Sequence, residues 1–303
     1  MSTLGPSGEA FDTWTQYFSE HLGAKISTLV NENIETEDCL PLHLSLSKML
    51  QINPILYDKI TIDPISELEN GEFVLQKIVE DQGGMFEINL RFEDLPPENY
   101  KDPVKMGAKD FGTLLWFDAV PVWVEQLRPW FKKGAWKCER CSRITLIENK
   151  RGEWGSMDSP EICDRKVGGC GRMTKDNRRS EEKKSQDLTK FTIAPHYGTL
   201  LDSKSLQLAD VYTLSPRFKK SEEKEQRINA HAVGAIAREI FSKSPKRITG
   251  KLGIHKSEYS LEIIGCSEVP IEKMNAIYAD GAEEEGEWES EEEIEEQPLY
   301  RPF

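Results

Sequence analysis

Four cysteines near the middle of the chain carry the clearest chemical signal in the sequence. Cys138 and Cys141 are separated by two residues and Cys163 and Cys170 by six, with 21 residues between the two pairs. Two cysteines at this short spacing fit on one tight turn, and four thiolates form the closed tetrahedral shell that suits Zn²⁺. The glycines of DRKVGGCGR allow the wider second loop to fold back. The spacing therefore predicts a structural zinc ribbon with these four cysteines as its ligands.

Two other thiol chemistries compete with this interpretation. A redox pair formed by Cys138 and Cys141 alone would suit a thioredoxin-like βαβ setting, which the sequence lacks. Catalytic zinc usually keeps an open position with a His or carboxylate ligand, and a deaminase would show His-x-Glu before its cysteines. Neither feature is present, so the expected role of the metal is structural. Cys39 and Cys266 stand alone and are assigned to packing.

The apolar pattern changes from helical to strand-like along the chain. Spacings of three and four predict an amphipathic helix of about six turns over residues 9–30. A helical region over residues 44–63 is broken by Pro54, and a further helix runs from Pro64 to Gly83. From MFEINLRF onwards the pattern alternates, and later short apolar runs predict a small antiparallel β-barrel. These runs are FGTLLWFDAVPVWV, KSLQLADVYTL, QRINAHAV, KRITGKLGI and YSLEIIG.

The chain is accordingly predicted to be an α+β protein in which the ribbon interrupts the barrel. The segment ITLIENKRGEWGSMD is expected to form a hairpin that brings the two cysteine pairs together. The expected divisions are a helical lobe (1–84), the first part of the barrel (85–137), the zinc ribbon and a basic linker (138–190), the second part of the barrel with a basic hairpin (191–273) and an acidic disordered tail (274–303).

Charge is unevenly distributed. The formal net charge is −14, but residues 274–303 hold eleven acidic residues and one basic residue. Residues 1–273, with 42 acidic and 38 basic residues, are therefore only mildly acidic. The tail is a like-charge run that should repel itself. A basic surface for nucleic acid is thus compatible with the overall acidity.

Basic residues concentrate around the first cysteine pair and in two later stretches. The segment SPRFKKSEEKEQR resembles a long hairpin with a charged tip, and SKSPKRITGKLGIHKS contains no acidic residue. Such runs suit contacts with phosphates, and Trp116, Trp123, Trp130 and Trp136 could stack on bases. The alternatives are an ordinary solvated surface and, for each tryptophan, core packing. The candidate DNA-binding residues are Arg217, Lys219, Lys220, Lys224, Arg227, Lys246 and Arg247.

Several function classes lack their signatures. A phosphate-binding loop would need Gly-x4-Gly-Lys-Ser/Thr, but Pro245 and Leu252 replace the first glycine and the hydroxyl residue around Gly250-Lys251. No enzyme activity is therefore expected from this chain by itself.

No apolar run reaches the roughly 18 residues that a membrane helix needs. An intracellular protein, cytoplasmic or nuclear, without a membrane partner is expected.

The order of these elements resembles the N-terminal region of the minichromosome maintenance (MCM) replicative helicases. The local matches are FEINLRFEDLP, GTLLWFDAVPVWVEQLRPWFKKGAWKCERC, SKSLQLADVY, EQRINAHAV and KRITGKL, which together span about residues 11–270. The resemblance implies an oligonucleotide-binding (OB) barrel, hexameric rings around DNA and a basic hairpin in the central channel, here SPRFKKSEEKEQR. Trp123 stands where relatives usually have an arginine, and Ser244-Pro245-Lys246-Arg247 replaces a Pro-Gly-Asp turn.

The resemblance leaves several functional hypotheses. The first is a zinc-stabilised MCM-type module that binds single- or double-stranded DNA non-specifically and assembles into rings, either as a relative without a motor or as part of a longer helicase. The second is a non-catalytic scaffold or regulator that associates with an MCM ring, with an acidic tail that mimics DNA and covers the basic hairpin. The third is a helicase whose ATPase lies elsewhere.

Overall fold

An N-terminal lobe of five helices forms the first part of the computed structural model. The structure describes residues 8–33, 39–149, 158–174, 188–197, 199–221, 225–255 and 257–280. The lobe helices are α1 (Gly8–His21), α2 (Gly23–Glu32), α3 (Leu46–Ile52), α4 (Pro54–Ile62) and α5 (Pro64–Asp81).

The helix boundaries follow local chemistry. Pro54 and Pro64 each occupy the first turn of a helix, where the missing N–H costs no hydrogen bond. Asn53 caps α4 by accepting a hydrogen bond from the backbone N–H of Leu56. The single helix predicted over residues 9–30 is wrong in one respect, because it is divided at Leu22, whose ψ of 0° bends the chain between α1 and α2.

Two strands belong to the lobe and were not foreseen there. Strand β1 (Leu40–Ser45) pairs in parallel with β2 (Ile88–Glu93), and α3 to α5 form the crossover between them. The core of the lobe includes Trp14, Phe86 and Leu95. The prediction of an all-helical lobe that ends at residue 84 is therefore corrected. Its core extends to residue 95, since MFEINLRF joins the lobe sheet rather than the barrel.

The second body is a barrel with an inserted ribbon. Its strand order is β3–β9–β10–β12–β11 and back to β3, which closes five strands into a barrel. All neighbours are antiparallel except β10 and β12, which are parallel. The strands are β3 (Leu114–Val124), β4 (Arg128–Cys138), β5 (Ile144–Glu148), β6 (Met173–Thr174), β7 (Leu188–Thr189), β8 (Phe191–Ile193), β9 (Thr199–Asp210), β10 (Ile228–Val233), β11 (Lys246–His255) and β12 (Glu258–Glu268).

Alternating residues of the barrel strands face two different cores. Leu115 and Phe117 of β3 lie in the barrel core, whereas Leu114 packs in the core of the lobe. On β12, Ile263 faces the barrel core and Ile264 the lobe, as the two-residue period of a strand requires. The lobe is consequently docked on the outer face of the barrel.

Specific contacts reinforce this docking. Arg91 on β2 forms a bidentate ion pair with Glu239 of helix α7 (Ala235–Glu239). A side chain at Gly265 would place its Cβ 1.9 Å from the backbone oxygen of Phe92. Only glycine permits this approach between β12 and β2, so the lobe and the barrel meet backbone to backbone.

The chain segment after the barrel is helical. Helix α8 (Ile271–Ala279) covers residues 274–279, which were predicted as the start of a disordered tail. Lys273 of α8 reaches the buried carboxylate of Asp118, with 2.6 Å between Nζ and Oδ2. This ion pair ties α8 to the barrel, so the predicted boundary at 274 is corrected. Residues 281–303 lie outside the described part of the chain.

Candidate metal centre and nucleic-acid interface

The first cysteine pair lies on a turn between β4 and β5. The backbone N–H of Cys138 donates to the carbonyl of Arg143, and the N–H of Ser142 donates to the carbonyl of Cys138, both at 2.9 Å. Ser142 has a φ of 58°, in the left-handed region that non-glycine residues rarely adopt. The tight turn directs Cys138 and Cys141 to one side, as the two-residue spacing predicts.

The second pair is closed by a short 3₁₀ turn at Arg165–Val167. Gly168 has a φ of 84°, and a Cβ at Gly169 would lie 2.6 Å from the sulfur of Cys163. The N–H of Gly171 donates to the carbonyl of Cys163 at 2.7 Å. The six-residue spacing therefore folds back as the glycines predict, because a side chain at Gly169 would block the loop.

The four sulfurs converge at one point. All four Sγ atoms lie within 4.8 Å of one another, with 3.8 Å between Cys138 and Cys170 and 3.6 Å between Cys141 and Cys163. Tetrahedral coordination at a Zn–S distance of about 2.3 Å requires sulfurs roughly 3.8 Å apart. The observed distances match this geometry, so the four cysteines can hold a metal ion.

Hydrogen bonds and burial act differently on the two buried thiols. Burial raises the pKa of Cys138, but hydrogen bonds with Thr189 and with the backbone of Cys141 and Arg140 outweigh burial and lower it to about 6. Burial raises the pKa of the Cys163 thiol to about 12. Cys138 is thus the more readily ionised of the two thiols, and a bound divalent cation would favour the thiolate form of both.

Only the first strand of the hairpin predicted for residues 144–158 falls on described residues, as β5. Strand β5 pairs with β4, from Lys133 opposite Glu148 to Lys137 opposite Ile144, and β8 pairs with the other edge of β4. Residues 150–157 lie outside the described part. The ribbon therefore begins within β4, and the predicted boundary between residues 137 and 138 falls at the end of a strand.

The basic segment predicted as a hairpin tip connects β9 and β10, which pair antiparallel. Of this connection the structure describes residues 211–221 and 225–227, and there it gives helical turns at Val211–Leu214 and Pro216–Lys220 where extended strands were expected. Helix α6 (Pro216–Lys220) begins with Ser215 as its cap, accepting from Phe218 N–H, and with Pro216 in its first turn. A serine followed by a proline, as at Ser215 and Pro216, favours the start of a helix. The sequence analysis missed this signal because it relied on the charges of the residues that follow.

The exposed basic residues of this segment lie close together in the chain. Arg217, Lys219 and Lys220 are exposed on α6. Arg227 follows the segment and pairs with Glu225 at 2.5 Å. Lys224, also predicted to contact DNA, lies outside the described residues. The group Arg217, Lys219 and Lys220 is hereafter called the α6 cations.

The other two predicted DNA-binding residues are engaged within the chain. Lys246 forms an ion pair with Glu268. Arg247 donates two hydrogen bonds to Asp118, at 2.8 and 3.1 Å, and its guanidinium lies 4.5 Å from the centre of the Trp116 ring. Although burial raises the pKa of Asp118, hydrogen bonds from Arg247 and Lys273 lower it overall. The charges of Lys246 and Arg247 are thus largely used in internal ion pairs.

The tryptophans divide between core and surface. Trp130 is buried, and Trp116 lies under Arg247 and donates to the carbonyl of Pro96 at 3.1 Å. Trp136 is half-buried on β4. Trp123 is 47% exposed at the end of β3. Of the four, Trp123 is the side chain best placed to stack on a base.

Sequence reasoning missed three contacts that shape these sites. Thr189 contacts the sulfur of Cys138 at 3.2 Å, Asp118 binds Arg247 and Lys273, and Asp280 contacts the segment containing α6. Each joins residues far apart in sequence. The alternation of β3 signals a strand there, but it does not reveal that Asp118 is buried beside two cations.

A helical lobe, a closed five-stranded OB-type barrel and an inserted four-cysteine ribbon together define a recognised class of domain. The structure is similar to the crystal structure of the N-terminal domain of an archaeal MCM, with a TM-score of 0.58 and 18% sequence identity. The similarity covers 86% of this chain and 99% of that chain. The chain therefore has the fold of an MCM N-terminal domain, as the sequence resemblance predicts.

Comparisons of the sequence alone do not detect this structural similarity. No family model matches the chain, and no curated protein matches it. Among the described residues, no helix is long and apolar enough to cross a membrane.

Proposed function

We propose that this chain is an MCM-type, zinc-stabilised module of the DNA replication machinery that binds DNA and performs no chemistry by itself. The observation that carries the proposal is the similarity to an archaeal MCM N-terminal domain over 99% of that domain's length. The barrel also carries its four-cysteine insertion where the resemblance implies a ribbon.

Zinc is the metal that best suits the cysteine cluster. Four thiolates without a histidine or carboxylate ligand favour Zn²⁺, and a closed shell leaves no open position for catalysis. The described ribbon residues bury little apolar surface, since Leu146, Ile162 and Val167 are all exposed. The role of the metal is therefore to hold the ribbon together.

The DNA-binding surface is proposed to centre on the α6 cations, with Trp123 as a stacking residue. The α6 cations are exposed and lie within four residues of one another, which suits contacts with successive phosphates. Arg227 and Lys224 belong to the same connection, whereas Lys246 and Arg247 contribute less because of their ion pairs. Such contacts read no base sequence, so single- and double-stranded DNA are both expected ligands.

Assembly and location follow from the same proposal. The chain is expected to form a ring with copies of itself or to join MCM-family partners near chromosomal DNA. Helicase activity would require an ATPase module supplied elsewhere in the protein or by a partner.

The test compares two charge-neutralising double variants of the full chain. Lys219→Gln/Lys220→Gln removes two α6 cations, and Lys25→Gln/Lys48→Gln removes two exposed lysines of the lobe. Fluorescence anisotropy with labelled single- and double-stranded DNA is measured over a salt series. The α6 variant should reduce the magnitude of the negative slope of log K against log salt by about 1.4 to 1.8, since each lost phosphate contact removes about 0.7 to 0.9.

The control variant should retain the slope and the affinity of the natural sequence. Binding that is insensitive to salt, or equal effects of the two variants, would contradict DNA binding through α6.

The second candidate function is that of a scaffold or regulator that associates with an MCM ring without binding DNA. The engagement of Lys246 and Arg247 in ion pairs favours it, because the described barrel surface then offers fewer available cations. Ring association in native mass spectrometry without any DNA binding would support this candidate over the first.

A further inference from the structure

A pocket of about 400 Å³ opens where the lobe meets the outer face of the barrel. Ile62 and Ile65, at the junction of α4 and α5, form its lobe side together with Phe111 from the loop before β3. Strands β11 and β12 supply the floor. The volume falls within the roughly 300 to 1,000 Å³ that is typical of ligand pockets.

Contacts between the lobe, the loop and the barrel fix the walls of this pocket. The ammonium group of Lys251 on β11 lies 3.5 Å from the carboxylate of Asp63 in the lobe. The N–H of Gly112 donates to the carbonyl of Leu252 at 2.8 Å. Gly253 on β11 lies opposite Ser260 on β12 and adds no side chain to the floor. The pocket is therefore formed by the fold itself.

Ser260 is the unusual residue of the floor. It lies on the same face of β12 as Ile264, which packs in the lobe core, because side chains alternate along a strand. Ser260 is only 4% exposed, and its Oγ has no hydrogen-bond partner among the described residues. Most buried polar groups are hydrogen-bonded, since an unpaired one has lost its bonds to water without replacement. A ligand hydroxyl that donates and accepts would satisfy this oxygen.

The charge and the rim of the pocket restrict the ligand further. Lys251 and Glu262 lie opposite each other on β11 and β12 and have opposite formal charges, which favours a neutral ligand. The apolar rim continues out of the pocket, since Ile62, Phe111 and Ile254 are each more than half exposed. A free small molecule would leave this rim in water, whereas a protein segment covers the pocket and the rim together.

We propose that this pocket binds a tyrosine side chain of a partner protein, with the ring against Ile62 and Phe111 and the hydroxyl hydrogen-bonded to Ser260. Tyrosine combines a large apolar ring with one polar tip. Its hydroxyl is neutral at pH 7, because the ordinary pKa of the phenol is about 10. Apolar residues beside the tyrosine cover the rim. This binding goes beyond the proposed function and does not depend on DNA.

The ligand is tested by titrating the full, isotope-labelled chain with two capped peptides and recording amide NMR spectra. The peptides Ser-Leu-Tyr-Leu-Ser and Ser-Leu-Phe-Leu-Ser differ only in the hydroxyl. The tyrosine peptide should shift the amide signals of Phe111, Ile254 and Ser260 and bind about fivefold more tightly than the phenylalanine peptide. Equal affinities of the two peptides, or shifts only at other residues, would overturn the proposal.

Two serine variants test the hydrogen bond. Ser260→Ala should bind both peptides equally, whereas Ser267→Ala, on the same strand but outside the pocket, should retain the fivefold preference. Ser260→Ala should also resist denaturant at least as well as the natural sequence, because it removes an unpaired buried hydroxyl. A marked loss of stability would mean that the hydroxyl already has a partner within the protein, which contradicts the proposal.

The free analogue 4-methylphenol separates a partner protein from a small molecule as the source of the phenol. The tyrosine peptide should bind at least about tenfold more tightly than 4-methylphenol, since its leucines bury the apolar rim. Ile62→Ala, at an exposed position, should weaken the peptide about fivefold and leave the stability of the chain unchanged. Equal affinities of peptide and 4-methylphenol would assign the pocket to a free phenol and overturn docking of a protein.

Discussion

The barrel and the ribbon are adjacent in the chain but are held together by different forces. The barrel core contains buried apolar residues from all five of its strands, including Leu115, Phe117 and Ile263. In the described ribbon, the deeply buried side chains are chiefly ligands and their neighbours, such as Cys138, Cys163 and Thr189. Burial of apolar area stabilises the barrel. The described part of the ribbon lacks that contribution, and in the proposed function metal coordination takes its place.

This difference predicts which region of the protein a given substitution will destabilise. A barrel strand shares its core with the strands on either side and, through residues such as Leu114 and Ile264, with the lobe. The ribbon joins the barrel mainly through β4, which pairs with β9. Loss of the metal should thus remain local, whereas loss of a core side chain should weaken the whole barrel.

The largest expected effect is the loss of the metal. Cys163→Ser should reduce bound zinc from one ion per chain to none and unfold the ribbon, because structural zinc contributes about 10 to 16 kcal/mol to the folding of small zinc domains. Metal analysis by mass spectrometry and amide NMR spectra of ribbon and barrel residues measure both consequences.

The matched control for this change is Cys266→Ser, at a cysteine buried in the barrel core. It should retain the metal. Stoichiometric zinc in Cys163→Ser, or collapse of the barrel together with the ribbon, would remove the contrast between the two regions.

The next effect concerns the barrel core. Phe117 is fully buried, so Phe117→Ala should lower the free energy of unfolding by roughly 3 to 5 kcal/mol. Ile254→Ala, at an exposed position on β11, should change it by less than about 0.5 kcal/mol. Denaturant titration measures both variants. If zinc affinity falls as strongly as stability in Phe117→Ala, the two regions are more tightly coupled than their contacts indicate.

The smallest of the three effects tests the ion pairs that hold α8. Asp118→Asn leaves Arg247 and Lys273 without their buried partner and should cost about 3 kcal/mol. Because the pKa of Asp118 is lowered in the folded state, its contribution is present above the ordinary value of about 3.9 and is lost as pH falls through the folded pKa. The stability difference between Asp118→Asn and the natural sequence should therefore shrink below about pH 4.

Thermal unfolding at several pH values checks this expectation. A difference that stays constant from pH 7 to pH 3 would assign the effect to packing rather than to charge.

Local patterns in the sequence predicted the elements that depend on near neighbours. Pro54 marked a break in a helical region, Pro64 marked a helix start, and the alternation of FGTLLWFDAVPVWV and YSLEIIG marked barrel strands. The cysteine spacing and the glycines around Cys170 predicted a convergent cluster, which the sulfur positions confirm. These features are local because turns, caps and strand alternation depend on residues close in sequence.

Features that depend on distant partners were not predicted. Strand β1 is stabilised by pairing with β2 more than forty residues later, and the sequence analysis therefore placed it in a helical lobe without predicting a strand. The start of α6 was obscured by its charges, and α8 depends on Asp118, more than 150 residues earlier.

The sequence by itself determined the helical lobe, the strands of the barrel and the four metal-binding candidates, because short-range spacing sets backbone conformation and the direction of each side chain. Only the tertiary structure decided which charges remain available. Whether a lysine or arginine can contact a phosphate depends on the carboxylates packed beside it. In the described part of the chain Arg247 is paired with Asp118, whereas Lys219 is exposed on α6, although both lie in basic stretches.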